Sequence, residues 1–205
     1  MTDGCDPSVG KSDVQESDQQ PPWPFLSFTL KGWRMGIITV QRKGVALETA
    51  AGFISAAQAA GSIPHQRTRD DLRKYFKGFA HRKESAPFNL VRVSPRYELG
   101  FSDLPTTVDI KNRAEGRSLE CCSLRDCAAL FLQILRGGEG QPPMMGDLFM
   151  IVKGVVSPGS GRLLTVNIRC DGDQHVFRTF WDRLNDYHWA GDSCWGFSLP
   201  KLPPQ

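Results

Sequence analysis

A dense group of cations lies in residues 67–83 and is the part of the chain best suited to bind an anionic ligand. On a helix, Arg69, Arg73 and Lys77 are spaced by four residues and share one face, where each can neutralise a phosphate. The same pattern also fits a solvated helix face that Asp70 and Asp71 partly balance. The cations of this segment are Arg67, Arg69, Arg73, Lys74, Lys77, Arg82 and Lys83. Arg34, in the hairpin predicted before it, and Arg42, at the end of that hairpin, would extend a basic surface for nucleic acid.

A second group of candidate residues is the aromatic and acidic stretch near the C-terminus. Trp181, Trp189 and Trp195 lie within fifteen residues and are typical either of a core or of a protein-binding surface. Asp182, Asp186 and His188 are interleaved with them. A carboxylate–imidazole pair is the minimal unit of general acid–base catalysis, and such carboxylates also serve metal-dependent nucleases, so these three are weak catalytic candidates.

Several specific motifs of catalytic and nucleotide-binding sites are absent from the sequence. It contains no phosphate-binding GxxxxGK[ST], no GxGxxG after a strand, and none of HExxH, GxSxG or CxxC. The run Cys170–His175 (CDGDQH) offers at most three metal ligands and reads better as a hairpin turn. The cysteines, which include the Cys121-Cys122 pair, are expected to be reduced and mostly buried. No metal and no cofactor is predicted.

The charge of the chain is distributed unevenly. Residues 1–22 hold five acids and one base, a net charge of −4, whereas residues 23–138 hold 18 bases and 10 acids, a net charge of +8. Residues 139–205 hold six bases and seven acids. The middle of the chain is therefore the electropositive part, which concerns partners and solubility rather than fold.

These candidates must be positioned by a fold that the hydrophobic pattern predicts as α+β. Helices are expected over 45–60, over 67–83 with Thr68 as the N-cap, and over 124–136, which a Ser123…Asp126 capping box begins and whose apolar surface makes it central and buried. The three helices would pack on a mixed or antiparallel sheet. Its strands are expected in hairpins over 26–41 and 147–170, in two short strands over 88–101 joined at Ser94-Pro95, and over 175–181 and 193–199. An irregular loop is expected up to Arg117.

The expected organisation is a disordered acidic tail over 1–22 and one α+β domain over 23–205, with a possible sub-boundary near 137–146. No secretory signal and no apolar run of about 18 residues occurs, so the expected location is cytoplasmic, away from membranes.

Three classes of function remain open. The leading hypothesis is a non-enzymatic binding protein whose basic central segment engages RNA or DNA. The alternative is a protein–protein adaptor or regulatory subunit that presents Trp181, Trp189 and Trp195 on an exposed apolar patch. The third is a small metal-dependent hydrolase or nuclease built on Asp182, Asp186 and His188.

Overall fold

The computed structural model describes residues 28–30, 33–35, 37–42, 47–76, 86–137, 146–171, 174–182 and 187–200. Within these ranges the protein has four α-helices, a two-stranded sheet and a six-stranded mixed sheet, which confirms the predicted α+β class. The elements in chain order are β1 (Phe28–Leu30), β2 (Trp33–Met35), β3 (Ile38–Val40), α1 (Ala50–Ala59), α2 (Gln66–Tyr75), β4 (Phe88–Val93), α3 (Thr107–Gly116), α4 (Leu124–Leu135), β5 (Gly146–Val156), β6 (Leu163–Asp171), β7 (Gln174–Trp181) and β8 (Cys194–Ser198).

The six-stranded sheet has the order β3-β4-β8-β5-β6-β7, and every neighbouring pair is antiparallel except β5 and β8. The hairpins predicted for β5–β6 and β6–β7 are confirmed. The first hairpin is confirmed for β1 and β2 alone, because β3, expected as the end of the same strand, pairs with β4 in the large sheet. The prediction of two strands over 88–101 is wrong, because β4 is the only strand that forms there. After it the chain turns, and the N–H groups of Glu98 and Leu99 both donate to the carbonyl of Ser94.

Both faces of the sheet are covered by apolar layers. Along β5, Leu148 and Met150 point to one side and Phe149 and Ile151 to the other, as the alternation of a strand requires. The first core, on the side of Leu148, includes residues of α1, α2 and α4. The second core, on the side of Phe149, includes residues of α3 and the loops beside it. Helix α2 therefore belongs to the same layer as α1 and α4.

Helix α4 begins at the predicted capping box. The Ser123 hydroxyl accepts the N–H of Asp126, and the Asp126 carboxylate accepts the N–H of Ser123. Residues 126–132 are buried without interruption, and Phe131 is packed among the aromatic rings of the first core.

Helix α3 takes the place of the irregular loop that was expected before Arg117, so that expectation is wrong. Thr106 and Asp109 form a second capping box, with hydrogen bonds in both directions between the side chain of one and the backbone of the other. Hydrogen bonds from Thr106 lower the pKa of Asp109 below its usual value. Ile110 and Ala114 carry the helix into the second core.

Helix α1 ends in a glycine with a left-handed backbone. Thr49 caps its N-terminus, and at its C-terminus Gly61 has φ +82°, while the N–H of Ser62 returns to the carbonyl of Ala57 at 2.9 Å. This is the hydrogen bonding of a Schellman motif, in which glycine avoids the steric cost that a Cβ meets at positive φ.

Replacing Gly61 with alanine should therefore lower the free energy of unfolding by about 1–2 kcal/mol. No atom lies within 4 Å of the added Cβ, so the cost is conformational. Gly116, at the end of α3, is equally open but has no positive φ, and its replacement by alanine should raise stability by about 0.5–1 kcal/mol. Urea denaturation of both variants checks the pair, and equal shifts in the same direction would contradict the assignment.

Candidate nucleic-acid interface

Helix α2 lies along the outer edge of β7, the last strand of the large sheet. The N–H of Thr179 donates to Thr68 Oγ1 at 3.2 Å, and the Thr179 hydroxyl donates to Asp71 Oδ2 at 2.7 Å. Just before the helix, the Ser62 hydroxyl donates to the carbonyl of His175 at 2.8 Å. Side chains thus occupy backbone groups that an edge strand would otherwise leave unpaired, and they fix α2 on the sheet.

These contacts correct the predicted start of the helix. Thr68 is not the N-cap: the N-cap is His65, which makes no side-chain capping bond, and Thr68 is a buried residue inside the helix. Its hydroxyl accepts a hydrogen bond from β7 and does not cap its own helix.

The opposite face of α2 is exposed and cationic. Leu72 and Phe76 point into the first core, whereas Arg67, Arg73 and Lys74 are exposed. Arg67 and Lys74 are seven residues apart, so they share one side of the helix, about 10 Å apart along its axis.

The carboxylates of α2 neutralise little of this charge. Asp71 accepts the Thr179 hydroxyl, and Asp70 meets Arg73 at 3.3 Å with both side chains 59% exposed, a geometry in which an ion pair contributes little. In the part of the chain that the structure describes, no salt bridge joins Arg67 or Lys74 to a carboxylate. Helix α2 therefore presents a net positive charge to solvent.

The predicted face of Arg69, Arg73 and Lys77 is not assembled as expected. Arg69 is half-buried, and its Nε is a buried atom without a hydrogen-bond partner among the described residues. The remaining predicted cations Lys77, Arg82 and Lys83 lie outside the described residues, as does the side chain of Arg34.

Arg42 is not part of any exposed basic surface, which corrects its assignment as a nucleic-acid contact. Its side chain is 10% exposed, and its Nε lies 2.6 Å from Oδ1 of Asp126, whose side chain is 7% exposed. The guanidinium carbon also lies 4.6 Å from the centroid of the Phe88 ring. Arg42 therefore links the segment after β3 to the first turn of α4, as a structural residue.

An aromatic pair whose contact the sequence did not predict borders the cations of α2. The rings of Tyr75 and Trp181 meet edge to face, with centroids 5.5 Å apart and planes inclined by 71°. Both are half-buried at the rim of the first core. Lys74 Nζ lies 5.1 Å from the centroid of the Tyr75 ring, so the aromatic pair and a cation of the exposed face are in contact.

The predicted protein-binding tryptophans do not form a surface patch. Trp195 is fully buried and Trp189 is 7% exposed, and their rings pack edge to face at 4.9 Å inside the second core. Trp181 belongs instead to the rim of the first core. The three indoles are distributed between the two cores, and two of them are buried. The prediction that they form one exposed apolar patch is therefore wrong.

The weak catalytic candidates occupy different surroundings. Asp182 is buried, whereas His188 is exposed and its Nδ1 lies 2.7 Å from the carbonyl oxygen of Leu104. Asp186 lies outside the described residues. Among the residues that are described, no group of three or more His, Cys, Asp or Glu side chains could hold a metal ion.

The cysteine thiols in the described part of the chain lack the features of a nucleophile. The five described cysteines are unpaired, and all but Cys194 are buried. Burial raises the pKa of Cys121 to about 12 and shifts the pKa of Cys122 and Cys127 well upward. Thiols of this kind stay protonated at neutral pH, and the thiolate is the reactive form. Cys170, across from His175 in the β6–β7 hairpin, is also buried.

None of the described helices is both long and apolar enough to cross a bilayer. Comparison of the chain with models of protein families, with curated proteins and with solved structures found no match.

Proposed function

We propose that the protein is a non-enzymatic nucleic-acid-binding protein and that helix α2 is its contact element. The observation that carries this proposal is the pairing of a buried face with an exposed cationic one. Thr68 and Leu72 hold the helix against the sheet, and Arg67, Arg73 and Lys74 face solvent. The backbone of the contact element is therefore already held on the sheet before a ligand binds, which lowers the ordering cost of binding.

A polyanion is the ligand that best fits such a surface. Exposed cations such as Arg67 and Lys74, which make no salt bridge within the described residues, can each displace a counterion from a phosphate backbone, and that release supplies most of the affinity of sequence-independent binding. The net charge of +8 over residues 23–138 favours the approach of an anionic chain over a neutral partner.

The other two classes of function receive less support. The adaptor hypothesis depended on an exposed patch of indoles, and Trp189 and Trp195 are buried. The hydrolase hypothesis depended on the convergence of Asp182, Asp186 and His188, and the described part of that set gives one buried carboxylate and one exposed imidazole that contacts a backbone carbonyl.

Reversing the two unneutralised charges of α2 is the direct test. The variant Arg67→Glu/Lys74→Glu should bind a fluorescein-labelled 30-nucleotide strand at least about tenfold more weakly than the wild type at about 50 mM KCl. The negative slope of log K against log salt concentration should also become shallower by about 1.4, because two phosphate contacts are lost from a single strand. Fluorescence anisotropy measures both quantities.

The matched control is Arg96→Glu/Arg136→Glu, which makes the same change of net charge at two exposed positions, one after β4 and one at the end of α4. It should stay within about twofold of the wild type, because only general electrostatics changes. Equal losses in the two double variants would show that net charge alone, and not α2, determines binding. A wild-type protein without measurable binding would end the proposal.

A further inference from the structure

We propose that the α2 surface selects single-stranded over double-stranded nucleic acid, by stacking an unpaired base on the aromatic pair Tyr75–Trp181. This inference rests on the proposed function, which supplies the phosphate contacts, and it adds a contact for the base. The ligand class it names is an unpaired polynucleotide strand, without preference for sequence.

The aromatic pair is built as a platform at the edge of the fold. Tyr75 is the last residue of α2 and Trp181 the last residue of β7, so two elements that are already joined through Thr179 place the rings side by side. Their inner parts pack on the first core, and both side chains remain partly exposed. Rings held by a core on one side lose little freedom when a base packs on the other.

Phosphate and base contacts lie next to each other in this arrangement. Lys74 Nζ sits 5.1 Å from the centroid of the Tyr75 ring, and Arg67 lies on the same side of α2 as Lys74. Because Lys74 Nζ lies over the Tyr75 ring, a phosphate that binds Lys74 would draw the ammonium off the ring. A base of the same strand could then stack on Tyr75 and Trp181. The combination of a cationic track with aromatic side chains is how proteins bind single strands of any sequence, since every base has a π-face.

Duplex nucleic acid cannot use the same contact. Its bases are stacked and paired inside the helix, so only its phosphates reach the protein, whereas bases of a single strand can be splayed onto aromatic rings. The cations alone would bind single strands and duplexes alike through their phosphates. The aromatic pair is therefore the element that would separate them.

Two substitutions of Tyr75 distinguish base stacking from a merely structural role. Tyr75→Phe keeps the ring, and Tyr75→Leu keeps an apolar side chain at the rim of the core but removes the ring. We expect Tyr75→Leu to weaken binding of a 30-nucleotide single strand by about tenfold and binding of a 30-base-pair duplex by less than about twofold. Tyr75→Phe should bind both as the wild type does.

Anisotropy titrations of the two labelled ligands, at one salt concentration, measure these ratios. Quenching of tryptophan fluorescence by the strand, reduced in Trp181→Phe, would add support from a signal that reports on the ring itself. The inference is overturned if the wild type binds both forms equally, or if Tyr75→Leu weakens both by the same factor. In either case a loss of binding in Arg67→Glu/Lys74→Glu would leave the proposed function standing. Binding of neither form by the wild type would remove both.

Discussion

Replacing Arg42 with methionine should lower the free energy of unfolding by about 3–5 kcal/mol, because it leaves the Asp126 carboxylate buried without its counterion. Arg42 Nε lies 2.6 Å from Asp126 Oδ1, and both side chains are at most 10% exposed. Removing one member of such a pair costs far more than breaking an exposed one, since the remaining charge cannot be solvated. A loss of this size is a large share of the 5–15 kcal/mol typical of a folded domain.

A double-mutant cycle isolates this interaction. Asp126→Asn keeps an oxygen that can accept the N–H of Ser123, which Asp126 now accepts as part of the capping box. The double variant Arg42→Met/Asp126→Asn should be less destabilised than the sum of the two single variants by more than about 1 kcal/mol. Urea denaturation followed by circular dichroism measures all four proteins. A loss of less than about 1 kcal/mol in Arg42→Met would show that the carboxylate is accessible to water.

Truncation of Trp195 to alanine should also lower the free energy of unfolding by about 3–5 kcal/mol. The indole is fully buried in the second core, packs on Phe149 and Trp189 at centroid distances of 5.5 and 4.9 Å, and donates its N–H to the Ser193 hydroxyl at 3.0 Å. Its removal leaves a large cavity and a hydroxyl without its donor.

Trp195→Phe is the companion variant. It keeps an aromatic ring in the second core and should recover at least half of the loss seen in Trp195→Ala. Thermal and urea denaturation measure both variants. This prediction also separates a core residue from a docking residue: if Trp195 served mainly to contact another protein, Trp195→Ala would leave the stability of the isolated chain almost unchanged.

Local signals were enough to predict much of the fold. The Ser123…Asp126 pattern, followed by an apolar run, predicted α4 because both parts of the signal act within one turn of the chain. The β5–β6 hairpin was predictable for the same reason, since its strands and its turn are neighbours in sequence. The signal for α3 was equally local, a Thr106…Asp109 capping box. The residues after it have few apolar side chains, so no clear helical periodicity marks this helix in the sequence.

Contacts between distant parts of the chain were beyond this kind of prediction. Thr68 has the residue type of an N-cap, yet its hydroxyl accepts an N–H from β7, 111 residues further along the chain. Arg42 looked like an exposed cation because its partner Asp126 is 84 residues away. Propensity and spacing say nothing about such partners, which depend on how the sheet is ordered.

The candidate site shows the same division. The sequence indicated that α2 is basic, but not which cations face solvent, and the structure leaves Arg67 and Lys74 exposed while it half-buries Arg69. The contact between Tyr75 and Trp181 joins residues 106 positions apart. Each ring had a local sign, Trp181 in the aromatic C-terminal stretch and Tyr75 directly after a lysine in a basic helix. Neither sign indicates that the two rings meet.

The salt dependence of binding by the wild-type protein tests the central claim most directly. A labelled 30-nucleotide strand should bind measurably at about 50 mM KCl. The logarithm of the association constant should fall linearly with log salt concentration, and the magnitude of the slope should be at least about 1.4 for the two contacts from Arg67 and Lys74. An affinity that does not change between about 50 and 200 mM KCl, or no binding at the lower concentration, would contradict it.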